Sequence, residues 1–78
     1  MTPETMSLAL LTRLRFIDFL LDHYGKLNRA AVMDYFGVSM PQASLDIRAY
    51  IERAPHNLTY DKTVRCYERG AGFVRVWP

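Results

Sequence analysis

Leu10, Leu14, Ile17, Leu21 and Tyr24 recur in steps of three and four, the spacing of one face of an α-helix. Thr2-Pro3-Glu4 supplies a cap, a proline suited to a first helical turn and an acid suited to the positive helix end. A long first helix is therefore expected from there to Tyr24, with Gly25 as its stop. Leu8, Leu11, Phe16 and Phe19 lie off the stripe and give this helix a second apolar side. Either residues beyond the domain fold back on that side or two copies pair through it, and homodimerisation is carried forward as the sharper expectation.

Asn28 is a cap for a short second helix, with Leu27 just before it and Val32 four positions after it placed to form a hydrophobic staple. That helix is expected to end at Phe36, where Gly37 can take the left-handed conformation and Val38 can turn into the core. Ser39 followed three residues later by Gln42 is a capping-box pattern for a third helix, and Pro41 is tolerated in its first turn. The third helix runs to about Arg53, with Ala43, Ile47, Tyr50 and Ile51 facing inward and Pro55 closing it. Leu58, Tyr60, Val64, Cys66 and Tyr67 are strand formers around a polar Asp61-Lys62-Thr63 tip, which predicts a β-hairpin. After the loosening Arg69-Gly70-Ala71-Gly72, residues Phe73–Trp77 are expected either to add a strand or to begin a linker.

Helix, glycine turn, helix and hairpin, in that order, make an α+β fold of the winged helix-turn-helix kind, three helices followed by a β-hairpin wing. The abrupt turn sets the two helices at a steep angle, and the small Ala43 allows them to approach closely. Residues 1–78 are expected to form one domain of this kind, since a chain of 78 residues has material for one small core. Outward positions at the start of the third helix are Met40, Pro41, Gln42, Ser44, Leu45 and Arg48. These types suit DNA: Gln pairs with adenine, Arg with guanine or phosphate, Ser with several edges, and Leu or Met with a thymine methyl. Asp46 would be repelled by phosphates and is expected to run along the domain surface toward Arg29 or another base. At the hairpin, Lys62 and Arg65 could reach phosphates or a minor groove.

Charge adds one useful asymmetry. The net charge of +2 arises in the second half, where six basic residues face four acids, against four and four in residues 1–38. The lone Cys66 cannot form an internal disulfide and reads as a small apolar strand residue, in keeping with a reducing cytoplasm. No apolar run approaches the length of a membrane span, and the start of the chain lacks a signal-peptide pattern. His23 and His56 stand far apart, without Cys or acid at metal-ligand or triad spacing, and Gly70-Ala71-Gly72 lacks the helix and lysine of a phosphate-cradling loop. Neither catalysis nor a cofactor or metal is expected.

Gly25-Lys26-Leu27-Asn28-Arg29, Tyr35-Phe36-Gly37-Val38-Ser39, Pro41-Gln42-Ala43-Ser44, Asp46-Ile47 with Tyr50, and Asn57-Leu58-Thr59-Tyr60-Asp61 with Tyr67 carry a resemblance. Together they resemble the N-terminal winged helix-turn-helix of WYL-domain transcriptional regulators, above all the repressors of BREX and CBASS anti-phage defence islands. Val38-Ser39 and Asp46-Ile47 are more loosely similar to DeoR-type repressors. The resemblance implies a dimeric repressor on an inverted-repeat operator of double-stranded DNA, with the third helix in the major groove and the wing alongside. By the matching motif, Ser39, Gln42 and Ser44 are the helix-start contacts, and the Tyr60-Asp61 wing stem supports Lys62. Members usually continue into a WYL sensor domain and a C-terminal dimerisation region, so a chain ending at Pro78 is expected to be an isolated domain or a minimal version that pairs through its first helix. The alternative function is a winged-helix module for protein–protein interaction.

Overall fold

Glycines stop the first two helices where the sequence pattern places them. Gly25 and Gly37 take φ of 72° and 67°, and their N–H groups return to carbonyls of the preceding turn. The computed structural model describes residues 6–78. Among them the elements are α1 (Leu8–Tyr24), β1 (Lys26–Leu27), α2 (Arg29–Phe36), α3 (Met40–Arg53), a short 3-10 turn (Pro55–Asn57), β2 (Leu58–Asp61) and β3 (Cys66–Arg69). Helix α1 starts at Leu8, where the Ser7 hydroxyl accepts the Leu10 N–H. Met6 and Ser7 are not helical, so the helix does not run unbroken from Thr2-Pro3-Glu4, which lies outside the described residues.

Leu14, Ile17 and Leu21 of α1 meet Val32 of α2 and Ala43, Ile47 and Tyr50 of α3 in the core, closed beneath by Leu27, Ala54 and Leu58. Ala43 is fully buried at the helix contact, as its size requires. Tyr24, expected on the inward stripe, is 70% exposed. At that end of α1 the Arg69 guanidinium donates to the carbonyls of Leu21 and Asp22.

The hairpin forms as expected, with Leu58 opposite Arg69 and Tyr60 opposite Tyr67, and buried Cys66 sits at the start of its second strand. Val64, read as a strand residue, lies in the turn and is exposed. The sheet has a third strand, but its source is β1, which pairs with β3 through Lys26 and Leu27 to give the order β1-β3-β2. Two residues are too few for an alternating pattern to register.

Residues 73–77 add no strand. They form an extended strap over a buried polar cluster at the base of the helices. Asp18, 1% exposed, accepts the Tyr50 hydroxyl at 2.5 Å and the N–H groups of Val76 and Trp77 at 3.0 Å each. Asn57, fully buried, donates to the Tyr50 hydroxyl and pairs both ways with the Val74 backbone, at 2.8 and 3.0 Å. Arg75 adds an ion pair to Asp22 at 2.9 Å. Gly70 begins the strap at a close approach, since a Cβ there would sit 2.3 Å from the His56 carbonyl oxygen. Every buried side-chain donor and acceptor of the described residues is satisfied.

Burial raises the Tyr50 pKa, and the Asp18 carboxylate beside it raises it further. Because the folded value lies above the ordinary one near 10, this hydroxyl favours the fold fully below that pH. The contribution declines as pH rises beyond it. Tyr50→Phe is expected to lower unfolding free energy by about 1–3 kcal/mol, through the Asp18 acceptor left short of a donor. Urea denaturation at pH 7 and at pH 10.5 tests this, and the difference between wild type and variant should narrow at the higher pH.

Candidate nucleic-acid interface

Helix α3 divides sharply. Ala43, Asp46, Ile47 and Tyr50 are buried, whereas Met40, Pro41, Leu45, Arg48 and Glu52 are exposed and line up along the opposite side. Two polar residues lie on the flanks between. Gln42 lies toward α1 and Ser44 toward the start of α2, both half-buried.

Three residues expected to contact a ligand at the helix start are all engaged within the chain. The Ser39 hydroxyl accepts the Gln42 N–H at 3.2 Å and caps α3. The Gln42 side chain does not complete the capping box. Its Nε2 donates instead to Asp46 Oδ1 at 3.0 Å. Ser44 Oγ accepts from Arg29 Nη1 at 3.2 Å, which ties the start of α2 to α3.

Asp46 does not run along the surface, and of the expected bases it meets not Arg29 but another, Arg13. It is fully buried, and Arg13 Nε of α1 reaches its Oδ2 at 2.6 Å with the arginine side chain only 16% exposed. The reason is geometric: Asp46 is buried on the side of α3 where Arg13 of α1 reaches it. No local pattern identifies Arg13, because 33 residues separate it from Asp46.

Between α3, the start of α2 and the wing lies a groove of about 540 Å³. Ile47 and Ile51 line it, and Tyr60 and Tyr67 lie on the wing side with their rings in edge contact at 4.8 Å. Arg29, Arg48 and Arg65 line it as well, and no carboxylate does. Three arginines from three separate elements around one groove make a site for an extended anion. Lys62 is exposed in the hairpin turn but is not part of this lining. Asp61 supports the turn by accepting the Thr63 N–H at 2.8 Å. Arg65 has φ of 56°, the only positive φ at a non-glycine among the described residues. A side chain in that conformation costs about 1–2 kcal/mol, so the turn carries strain with a cation at its most strained position.

The residues expected to pair two copies separate into two groups. Phe16 is covered within the chain, stacked on Tyr35 at 4.4 Å and edge-on to Phe36 at 5.2 Å. Leu11 is half-buried. Leu8 and Phe19 remain exposed, and Phe19 lies against His23 at 4.3 Å. Among the described residues no helix is long and apolar enough to cross a membrane. None of them groups into a cluster of His, Cys, Asp and Glu that could hold a metal.

Arg13→Met leaves the Asp46 charge buried without its cation and is expected to cost about 3–5 kcal/mol of stability. The double variant Arg13→Met/Asp46→Leu should recover most of that loss, as read from urea midpoints of the single and double variants.

Residues 9–77 match the family model described as the BrxR transcriptional regulator winged helix-turn-helix domain. The chain is 47% identical over 66 residues to the DNA-binding transcriptional repressor CapW of Pseudomonas aeruginosa, a match covering 85% of this chain and 22% of that protein. It is 51% identical over 65 residues to CapW of Escherichia coli (strain KTE188), covering 83% of this chain and 22% of the relative. A third CapW, from Stenotrophomonas maltophilia, is 46% identical over 55 residues, covering 70% of this chain and 18% of its own. The chain thus spans about a fifth of the length of these relatives. With three helices, a winged sheet and a match along nearly all of its length, it belongs to the BrxR transcriptional-regulator winged helix-turn-helix family.

Proposed function

We propose that the chain is a sequence-specific double-stranded DNA-binding unit of a transcriptional repressor. Helix α3 enters the major groove with Met40, Pro41, Leu45 and Arg48, and the wing lies over the adjacent backbone. The observation that carries this reading is the acid-free groove between α3 and the wing, where Arg29, Arg48 and Arg65 converge. A duplex whose major groove receives α3 would bring phosphates to that groove, and arginine forks match phosphate oxygens. The names of the relatives support the same reading, each being a DNA-binding transcriptional repressor.

Ser39 and Ser44 hold the helix start in shape and are placed in this reading as backbone-side contacts, their hydroxyls retaining capacity for a phosphate. Lys62 at the exposed wing tip supplies a point charge to phosphate or minor groove. Two copies on an inverted repeat would pair through the apolar side of α1 that stays open, at Leu8 and Phe19, working in the cytoplasm where the DNA is.

Arg65 offers a test that separates contact from folding. Arg65→Gly relieves the left-handed strain and is expected to raise stability by up to about 1 kcal/mol. The same change should weaken DNA binding and reduce the slope of log affinity against log salt by about 0.9, one phosphate contact. Higher stability with unchanged affinity would remove Arg65 from the interface. Arg48→Ala is expected to lower discrimination between selected and random DNA by about 1–3 kcal/mol, whereas Lys62→Ala should weaken both alike. Titrations at several salt concentrations measure all three.

A further inference from the structure

Gln42 is the one flank residue whose side-chain orientation is dictated by a buried charge. Asp46 is fully buried, and its Oδ2 is taken by Arg13 at 2.6 Å. Its other oxygen, Oδ1, stands 3.0 Å from Gln42 Nε2. A carboxylate accepts hydrogen bonds and does not donate them, so only the nitrogen of the Gln42 amide can occupy that position. The oxygen is then the other arm of a planar group and turns away from Asp46. Were the amide reversed, two oxygens would face each other next to a buried charge, which is strongly unfavourable.

We propose that Arg13 and Asp46 are positioning residues that fix Gln42 as a hydrogen-bond acceptor, and that Gln42 therefore selects an amino-bearing base. In the major groove adenine offers its N6 amino group and cytosine its N4, while guanine and thymine present acceptors at the equivalent places. Gln42 lies in the first turn of α3, where a groove-entering helix meets base edges. On the strand it faces, it accepts adenine or cytosine and rejects guanine and thymine. The rejection follows because an acceptor opposed to an acceptor leaves both unpaired in a water-poor interface. A glutamine free to rotate its amide would satisfy either kind of edge, so the selectivity resides in the ion pair beneath it and not in Gln42 alone.

This proposal rests on α3 entering the major groove, and the experiment distinguishes the two failures. Selection from a random duplex pool with the full chain identifies the preferred site, and repeating it with Gln42→Met locates the position where preference is lost. Every Watson–Crick pair offers one major-groove amino group, on adenine or on cytosine, so the amino group of that pair is what is tested. Replacing the base there with its amino-lacking analogue, purine for adenine or 2-pyrimidinone for cytosine, should weaken wild-type binding about tenfold and Gln42→Met less than twofold. Asp46→Asn, which frees the amide to turn over, should likewise reduce the analogue penalty below twofold while affinity for random DNA is kept. A variant that merely loses structure would lose both affinities together. An analogue penalty no larger for wild type than for Gln42→Met, or site preferences identical in Gln42→Met and wild type, would overturn the proposal and leave DNA recognition standing. Failure of wild type to enrich any sequence would overturn both. Should Asp46→Asn not fold, the wild-type and Gln42→Met analogue measurements still decide the outcome.

Discussion

The carboxylate of Asp18 is the constraint on which the architecture depends. It lies in α1 almost without solvent, and a buried charge persists only where donors surround it. Its donors come from the Tyr50 hydroxyl of α3 and from two backbone N–H groups of the C-terminal strap, with the Arg75 guanidinium 3.9 Å away. Removing any of these leaves the charge short of partners, so helix, helix and strap hold one another in place. Asn57 extends the cluster to the start of the wing, because it bonds both Tyr50 and the strap while standing directly before β2.

A second buried carboxylate ties the same two helices one turn away. Asp46 is held by Arg13 of α1 at the middle of α3, and Tyr50 is held by Asp18 one turn further on. Helix α3 is thus tied to α1 at two points by directional, charge-assisted hydrogen bonds rather than by apolar contact alone. Apolar packing tolerates a small roll of one helix on another, whereas two such bonds fix the rotation about the helix axis. The face carrying Pro41, Leu45 and Arg48 is therefore presented to solvent at a set angle.

The wing follows the opposite economy. Arg65 sits where glycine would be easier, and Tyr60 and Val64 are half or more exposed on a four-residue strand and its turn. At Arg65 the left-handed backbone works against local stability, whereas Tyr60 gains a cross-strand contact with Tyr67. They add cation and aromatic surface beside the α3 groove at a cost in local stability, which is the pattern expected where a surface is kept for a partner.

The sequence by itself determined the helices, their stops at Gly25 and Gly37, the Ser39 cap and the hairpin, because each rests on contacts between residues a few positions apart. The helix-turn-helix and the exposed flank of α3 followed from the same local periodicity. Tertiary structure alone decided the role of the buried charges. Asp46 and Arg13, like Asp18 and the strap, are brought together from more than thirty positions apart in sequence. Periodicity carries no information about which acid will be enclosed. It also could not reveal that β1, two residues long, completes the sheet in place of residues 73–77, or that Phe16 is covered by Tyr35 and Phe36. Edge pairing and ring stacking depend on how helices cross, and crossing is settled only when the whole core closes.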